Sequence, residues 1–218
     1  IEDYGVDTIR YFLLSEVPFG SDGNFSELLM VERRNSDLCN VLGNLVNRTI
    51  SMANKYFGGK VSKISNITEL DNEVINYLNS MDKDVDEKLE SLNAPAALAD
   101  IFSRLNRLNK YIDETEPWKL AKLEDKSRLN DVLYVILDGI RLCAIELEAF
   151  IPATSKKIYE QINVNDASFE NNTIGYVESY QVTEKPEILF ARIDEKELKE
   201  KLEAKDIEHL PEISIEDF

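Results

Sequence analysis

The sequence has very little of the chemistry that most enzyme active sites use. It contains one histidine, His209, and two cysteines, Cys39 and Cys143, which lie far apart in the chain. His209 stands in a charged segment without a neighbouring nucleophile, so we expect no Ser/His or Cys/His catalytic device. Neither cysteine has a second Cys or His nearby to complete a metal site, and we interpret both as buried free thiols. We therefore predict no catalytic residue and no metal ligand in this chain.

Other features of common enzyme and membrane classes are also missing. There is no glycine-rich phosphate loop after a strand, no pair of carboxylates in an apolar setting and no internal repeat. No apolar run reaches the length of a membrane span, and the opening "IEDYGVDTIR" lacks the basic end and apolar stretch of a signal peptide. These absences favour a cytoplasmic protein that does not associate with membranes. With 43% hydrophobic residues, the 218-residue chain can form one domain with a substantial core.

Basic residues are scarce, and the formal net charge is -17. This sign argues against a general nucleic-acid binder, because contacts to phosphates need lysine and arginine. The acidic excess is uneven, however. Residues 184–218 carry 12 acids against 6 bases, whereas residues 26–60 carry 5 bases against 3 acids. If this chain binds a nucleic acid, we expect the contact near residues 26–60.

Hydrophobic residues recur at spacings of three and four along most of the chain, which predicts an all-α fold. The predicted helices cover residues 4–16, Ser26–Phe57, Asn72–Leu92, Pro95–Ile112 and Lys126–Ile151. The last of these is apolar almost all round, as expected for the central helix of a bundle, and Pro152 should end it. Residues 163–186 indicate an irregular surface connection, and a charged C-terminal helix is predicted after "PEILFARI".

The long helix Ser26–Phe57 should carry a polar face beside its apolar stripe. A helical wheel buries Leu38, Val41, Leu42, Leu45, Met52, Ala53 and Tyr56, and places Asn40, Asn44, Asn47, Arg48, Ser51 and Lys55 beside them. Asn44 and Arg48 are four residues apart, so their side chains lie one above the other. An amide next to a planar guanidinium suits the edges of unpaired bases. The alternative is that these groups only face water or cap neighbouring helices.

The single tryptophan, Trp118, lies in the stretch "ETEPWKLAK", directly after Pro117. Proline favours the first turn of a helix, so Pro117 should fix the helix start and hold the ring in place. One interpretation is a platform on which a base stacks. The other is a ring packed on the bundle surface with only its N–H exposed. Periodicity alone does not choose between them.

Three stretches, taken together, resemble the methionyl-tRNA synthetase family. "YGVDTIRYFLLSEVPFGSDGNFS", "GNLVNR" and "YIDETEPWKLAK" occur in this order, and the similarity runs over essentially the whole chain. The resemblance implies the helix-bundle anticodon-binding domain of a class I aminoacyl-tRNA synthetase. It implies that Asn44 and Arg48 read the CAU anticodon, and that the first anticodon base stacks on Trp118 next to Pro117.

The same resemblance suggests how the chain is divided. Residues 1–25 would connect an absent catalytic domain to the bundle, with some of their apolar groups uncovered, and residues 26–162 would form the bundle. Residues 163–205 would form a return connection and the C-terminal helix, and residues 206–218 a linker toward an absent oligonucleotide-binding domain. The family's "HIGH" and "KMSKS" signatures and its zinc-bearing insertion do not occur in this sequence.

The resemblance further implies a function in protein synthesis. The parent enzyme would attach methionine to its tRNA using ATP and Mg²⁺, often with a structural zinc in the catalytic part. We expect this chain alone to hold no cofactor, to be inactive as an enzyme and to be a monomer. Its partners would be the anticodon loops of initiator and elongator methionine tRNAs and the catalytic domain of the same protein.

Two other functions are compatible with the sequence. The acidic surface and charged C-terminal helix also suit a helical module that binds proteins, which would show no preference for a CAU loop. A related class I synthetase, such as the cysteine enzyme, would prefer a different anticodon.

Overall fold

The protein is mainly helical, which confirms the fold predicted from the sequence. The computed structural model describes residues 3–20, 23, 25–165 and 167–208. The α-helices are α1 (Val6–Glu16), α2 (Glu27–Arg33), α3 (Asn44–Phe57), α4 (Glu69–Asn79), α5 (Met81–Glu90), α6 (Ala94–Thr115), α7 (Pro117–Leu120), α8 (Ser127–Leu147), α9 (Pro152–Ile162) and α10 (Glu195–Glu208). A π-helix spans Arg34–Gly43, a 3₁₀ turn spans Phe169–Asn171, and two strands are β1 (Lys60–Ser62) and β2 (Ser179–Gln181).

Several predictions concern the end of the chain. The charged helix α10 confirms the predicted C-terminal helix. His209 and the rest of the segment 209–218 lie outside the described residues, so the prediction of a linker there stays a prediction. The domain boundaries placed at residues 25, 162 and 205 also stay predictions.

The predicted long helix is continuous but contains a π-helical middle. Ser26 caps α2 by accepting a bond from the backbone N–H of Leu29, and Gly58 ends α3 with φ 60°. Glycine adopts this left-handed conformation without steric cost, so "FGGK" ends the helix as predicted. Between α2 and α3, ten residues form the π-helix, in which bonds span five residues instead of four.

The π-helix changes which residues face the core. Each of its residues turns by less than the 100° that the helical wheel assumes, so the predicted stripe gives only part of the face that packs into the bundle. Leu38, Leu42, Leu45 and Ala53 are buried as predicted, and Val41, Met52 and Tyr56 are partly buried and pack against the core. The buried residues of this helix that the wheel missed are Met30, Val31, Asn35, Val46, Thr49 and Ile50.

The predicted helix Asn72–Leu92 is in fact two helices, α4 and α5. Thr68 and Asp71 form a capping box, which starts α4 three residues earlier than predicted. At the other end, the hydroxyl of Ser80 donates to the Tyr77 carbonyl and to the carboxylate of Asp84. Serine side chains that bond nearby backbone in this way compete with the helix, which accounts for the break at Ser80.

Helix α8 is the centre of the bundle, as predicted. Every residue from 131 to 147 is buried, and α8 packs against α3, α4, α6 and α9. The helix ends at Leu147, four residues before the predicted end. Pro152 does not simply stop it but occupies the first turn of a further helix, α9, which the sequence analysis did not identify.

Helix α1 packs on the bundle through a buried carboxylate. Asp7 Oδ2 accepts bonds from the backbone N–H and the hydroxyl of Thr154 at 2.6 and 2.7 Å, at the N-terminus of α9. A carboxylate at this end of a helix is favourable because it complements the helix dipole. Phe12 is buried, whereas Leu13 and Phe19 are 45% and 78% exposed. Part of the apolar surface of residues 1–25 is thus uncovered.

A strand pair and a buried ion pair fix the connection after α9 to the bundle. Strand β2 pairs antiparallel with β1, with Val61 opposite Tyr180, a small ribbon that the sequence analysis did not predict. The buried ion pair of Asp138 and Arg141 in α8 also binds the connection. Arg141 donates to the carbonyls of Asn171 and Thr173, while Asp138 accepts from the backbone N–H of Gly175 and the hydroxyl of Tyr180.

Another buried acid, Glu146, gives the fold a pH dependence. It is 2% exposed and accepts a bond from Asn172 Nδ2. Burial, followed by the nearby carboxylate of Asp82, raises the pKa of the Glu146 carboxyl from 4.5 to about 7. Between these two pKa values the unfolded chain has released the proton that the folded chain still holds.

We therefore expect stability to fall as pH rises from about 4.5 to about 7. Since one pKa unit corresponds to about 1.4 kcal/mol, Glu146 contributes a loss of up to about 3 kcal/mol across this window. Urea unfolding at pH 5 and pH 7.5 measures it, and Glu146→Gln, which cannot ionise, should remove most of the difference. The same pH dependence in wild type and variant would contradict the assignment to Glu146.

Candidate nucleic-acid interface

Helix α3 presents the polar residues that the sequence singled out on its solvent side. Asn44, Asn47 and Ser51 are exposed, and Arg48 is half-buried. Asn44 and Arg48 both lie in regular α-helix, one turn apart, so they share a face as predicted. An amide and a guanidinium therefore point away from the core side by side.

The guanidinium of Arg48 is held by the neighbouring helix α6. Its Nη2 donates to Asn109 Oδ1 at 2.7 Å and more weakly to the Asn109 carbonyl at 3.4 Å. Its Nε is buried and makes no hydrogen bond to any described residue. Nη1 also has no bond to the described part of the chain, but unlike Nε it is not sealed from solvent. One edge of the guanidinium is thus occupied and one donor nitrogen is free.

The charge of Arg48 is retained despite its burial. Desolvation lowers the pKa of Arg48, while the nearby carboxylate of Asp113, one turn after Asn109 on α6, raises it. An arginine starts from a pKa so far above neutrality that it stays protonated at physiological pH. The site therefore contains a partly desolvated cation, whose hydrogen bonds are stronger than those of a fully hydrated one.

Trp118 lies in the turn directly after α6. Glu116 ends α6 with φ 45°, and Pro117 is the buried first residue of the short helix α7. A positive φ is uncommon for a residue with a side chain, and such conformations concentrate at functional sites. Lys119 bonds Glu116 across the turn at 2.7 Å. Pro117 starts the helix as predicted, and the ring of Trp118 is 45% exposed.

The end of α6 that precedes Trp118 is fixed by a buried carboxylate. One helical turn before the end of α6, the Tyr111 hydroxyl donates to the buried carboxylate of Asp71 at 2.5 Å. Arg128 of α8 binds both oxygens of the same carboxylate at 2.6 and 2.8 Å. Burial by itself would raise the pKa of Asp71, but the bonds from Arg128 and Tyr111 lower it to about 2. Helices α4, α6 and α8 are thus joined near the C-terminal end of α6.

Helix α6 connects the two halves of the predicted site. Arg48 contacts Asn109, and α6 runs on to Thr115, roughly 9 Å further along its axis at 1.5 Å per residue. Trp118 follows at once. Within the described residues, no hydrogen bond or ring contact joins Trp118 to Asn44 or Arg48. The structure brings Arg48 and α6 together directly, and it leaves Trp118 exposed beyond the end of the same helix.

Asn109 is a site residue that the sequence analysis missed. It lies between Leu108 and Ile112, two buried residues of α6. Its bonding partners, Arg48 and Val41, are more than 60 residues away in the chain. No local spacing signals such a contact. The described residues contain no cluster of three or more His, Cys, Asp or Glu that could hold a metal ion.

Comparison with family models gives two adjacent matches. Residues 61–205 match the model described as the anticodon-binding domain of methionyl tRNA ligase, and residues 1–50 match the model for class I (M) tRNA synthetases. The second match extends beyond the predicted connecting segment into the long helix.

Curated relatives and solved structures agree with these models. All of this chain aligns with 36% of the methionine–tRNA ligase of Caldanaerobacter subterraneus at 42% identity, and with 36% of that of Clostridium acetobutylicum at 40% identity. The crystal structure of free Mycobacterium tuberculosis methionyl-tRNA synthetase superposes with a TM-score of 0.83 at 31% identity, over 88% of this chain and 40% of that one. The chain therefore spans about a third of the length of the curated relatives. None of the described helices is long and apolar enough to cross a membrane.

Proposed function

Because the chain belongs to the methionyl-tRNA ligase family and spans its anticodon-binding domain, we propose that it recognises the CAU anticodon of methionine tRNA. The exposed face of α3, carrying Asn44 and Arg48, would bind the edges of the splayed anticodon bases. Trp118, held by Pro117, would stack on the first anticodon base. The observation that carries this proposal is that the half-exposed indole of Trp118 follows directly after α6, the helix whose Asn109 bonds Arg48.

Selectivity in this proposal comes from hydrogen bonds that only the correct bases can complete. The free Nη1 of Arg48 donates, and the amide of Asn44 both donates and accepts, so together they define a pattern of base edges. A wrong base leaves such a group unpaired, at a cost of about 1 to 3 kcal/mol for each bond. The acidic remainder of the surface would repel other RNA and restrict binding to this face.

The proposal also covers the protein to which the chain belongs. That protein would attach methionine to initiator and elongator tRNAs in the cytoplasm, with a catalytic domain in the same chain as the second partner. The ATP, Mg²⁺ and structural zinc of the family would belong to that catalytic part. The chain described here would be a monomer and would not activate methionine by itself. An ATP–pyrophosphate exchange assay on it should show no activity.

A competition titration of anticodon stem-loops tests the proposed function. Loops with CAU, with a scrambled sequence and with the cysteine anticodon GCA should be compared on the same stem. We expect CAU to bind at least about tenfold more tightly, since a single lost bond to a charged group is worth this much. Equal binding of all three loops would contradict the proposal and favour a protein-binding module, and a preference for GCA would favour the cysteine enzyme.

A further inference from the structure

Asn109 connects the guanidinium of Arg48 to the backbone of a third segment. Its Oδ1 accepts the bond from Arg48 Nη2 at 2.7 Å, and its Nδ2 donates to the carbonyl of Val41 at 3.2 Å. The amide of Asn109 has a donor at one end and an acceptor at the other. Rotating this amide by 180° would exchange its oxygen and nitrogen and lose both bonds, so the two bonds fix its orientation.

Val41 places this contact on the same face of the long helix as the predicted base readers. It lies in the π-helix, three residues before Asn44 and seven before Arg48. π-helical segments inside α-helices are frequent at functional sites, and a backbone carbonyl is a rigid anchor. Asn109 therefore links the backbone carbonyl of Val41 to the guanidinium at the end of the Arg48 side chain.

We propose that Asn109 is a positioning residue that sets the base specificity of the anticodon site by fixing the direction of Arg48. This inference rests on the proposed function. An unrestrained guanidinium carries five donors and can bind any base edge or phosphate within its reach. With Nη2 bonded to Asn109 and Nε buried, only Nη1 is left to meet a base. The contact with Asn109 thus restricts Arg48 to donating hydrogen bonds in one direction, through Nη1.

A purely structural role for Asn109 predicts a different result. The bond between α3 and α6 also joins two helices of the bundle, and losing it could lower the folded fraction. Such a loss would weaken the binding of every RNA loop by the same factor, because the site in the folded molecules would be unchanged. A positioning role instead changes the ratio between the affinities for a correct loop and an incorrect one.

The test measures this ratio for a CAU loop and a loop with a scrambled anticodon on the same stem, so that every base that Arg48 could read is changed. We expect Asn109→Ala to reduce the CAU preference about tenfold, the loss typical of a bond to a charged group. In an Arg48→Gln background the same change should alter the preference less than about twofold, because the group being positioned is gone. Asn106→Ala is the matched control, since Asn106 lies one turn earlier on α6, is exposed and bonds to no described residue.

Asn109→Asp tests the inference even if the alanine variant does not fold. It keeps an oxygen acceptor for Arg48, now as a carboxylate that pairs with the guanidinium, and it replaces the donor to the Val41 carbonyl by a second oxygen. Because the bond that directs Arg48 is kept, it should retain more of the CAU preference than Asn109→Ala. Folding of each variant is followed by thermal unfolding. An unchanged CAU preference in both Asn109 variants, or equal losses for both loops, would overturn the positioning role while leaving the proposed function intact. A wild-type chain that does not prefer CAU would overturn both.

Discussion

Replacing Trp118 by alanine should weaken the binding of a CAU stem-loop by about 1 to 3 kcal/mol, or roughly 5- to 150-fold. The indole is 45% exposed, so its removal takes away a stacking surface while leaving the core in place. Thermal stability should therefore change little. Trp118→Phe keeps a smaller aromatic face and should bind with an affinity between those of wild type and the alanine variant. Fluorescence anisotropy of a labelled stem-loop measures all three.

Two controls show whether the loss comes from stacking at this position. Phe169 is 57% exposed and lies on the connection that Arg141 holds. Arg141 is roughly 20 Å along α8 from Arg128, which bonds Asp71 near the end of α6 that precedes Trp118. Phe169→Ala removes an exposed aromatic ring elsewhere on the surface and should leave RNA affinity unchanged. Because Trp118 is the single tryptophan, its emission reports directly on contact. An unchanged emission spectrum at saturating RNA would rule out a stacked base.

The parts of the fold that the sequence predicted well are those in which one helix face determines burial. Along α6, Leu98, Ile101, Leu105, Leu108 and Ile112 are all buried, as their spacing predicts. Gly58 and Pro117 act where local backbone chemistry requires them, at the end of α3 and the start of α7. Each of these features depends on residues that are close together in the sequence, so a single chain is sufficient to identify them.

The errors arose where distant contacts determine local structure. The π-helix leaves no clear composition signal, and yet it shifts which residues of the long helix are buried. Pro152 can end one helix or begin another, and in the structure it begins α9. The carboxylate of Asp7, far away in the sequence, stabilises this start by accepting a bond from the backbone N–H of Thr154. The partial burial of Arg48 by Asn109 is of the same kind. The site residues themselves were identified through their resemblance to a family, since periodicity left both Arg48 and Trp118 open to a structural interpretation.

Replacing Asp138 by alanine should lower the free energy of unfolding by about 3 to 5 kcal/mol, because Arg141 would remain buried without its counter-charge. Both side chains are completely buried, and Arg141 Nε donates to Asp138 Oδ1 at 2.6 Å. The variant also leaves the hydroxyl of Tyr180 and the N–H of Gly175 without an acceptor. Urea denaturation measures the loss.

The controls for Asp138→Ala separate the orphaned charge from other effects. Glu160→Ala removes an exposed acid from a chain of net charge -17, so it measures any gain from reduced self-repulsion and should change stability by less than about 0.5 kcal/mol. The double variant Asp138→Ala/Arg141→Met removes both charges, and we expect it to lose less stability than the sum of the two single variants. Strict additivity would mean that the two residues stabilise the connection independently. Because this connection lies far from Trp118, folded molecules of either variant should keep the CAU preference, which would separate the stability of the bundle from its ability to read RNA.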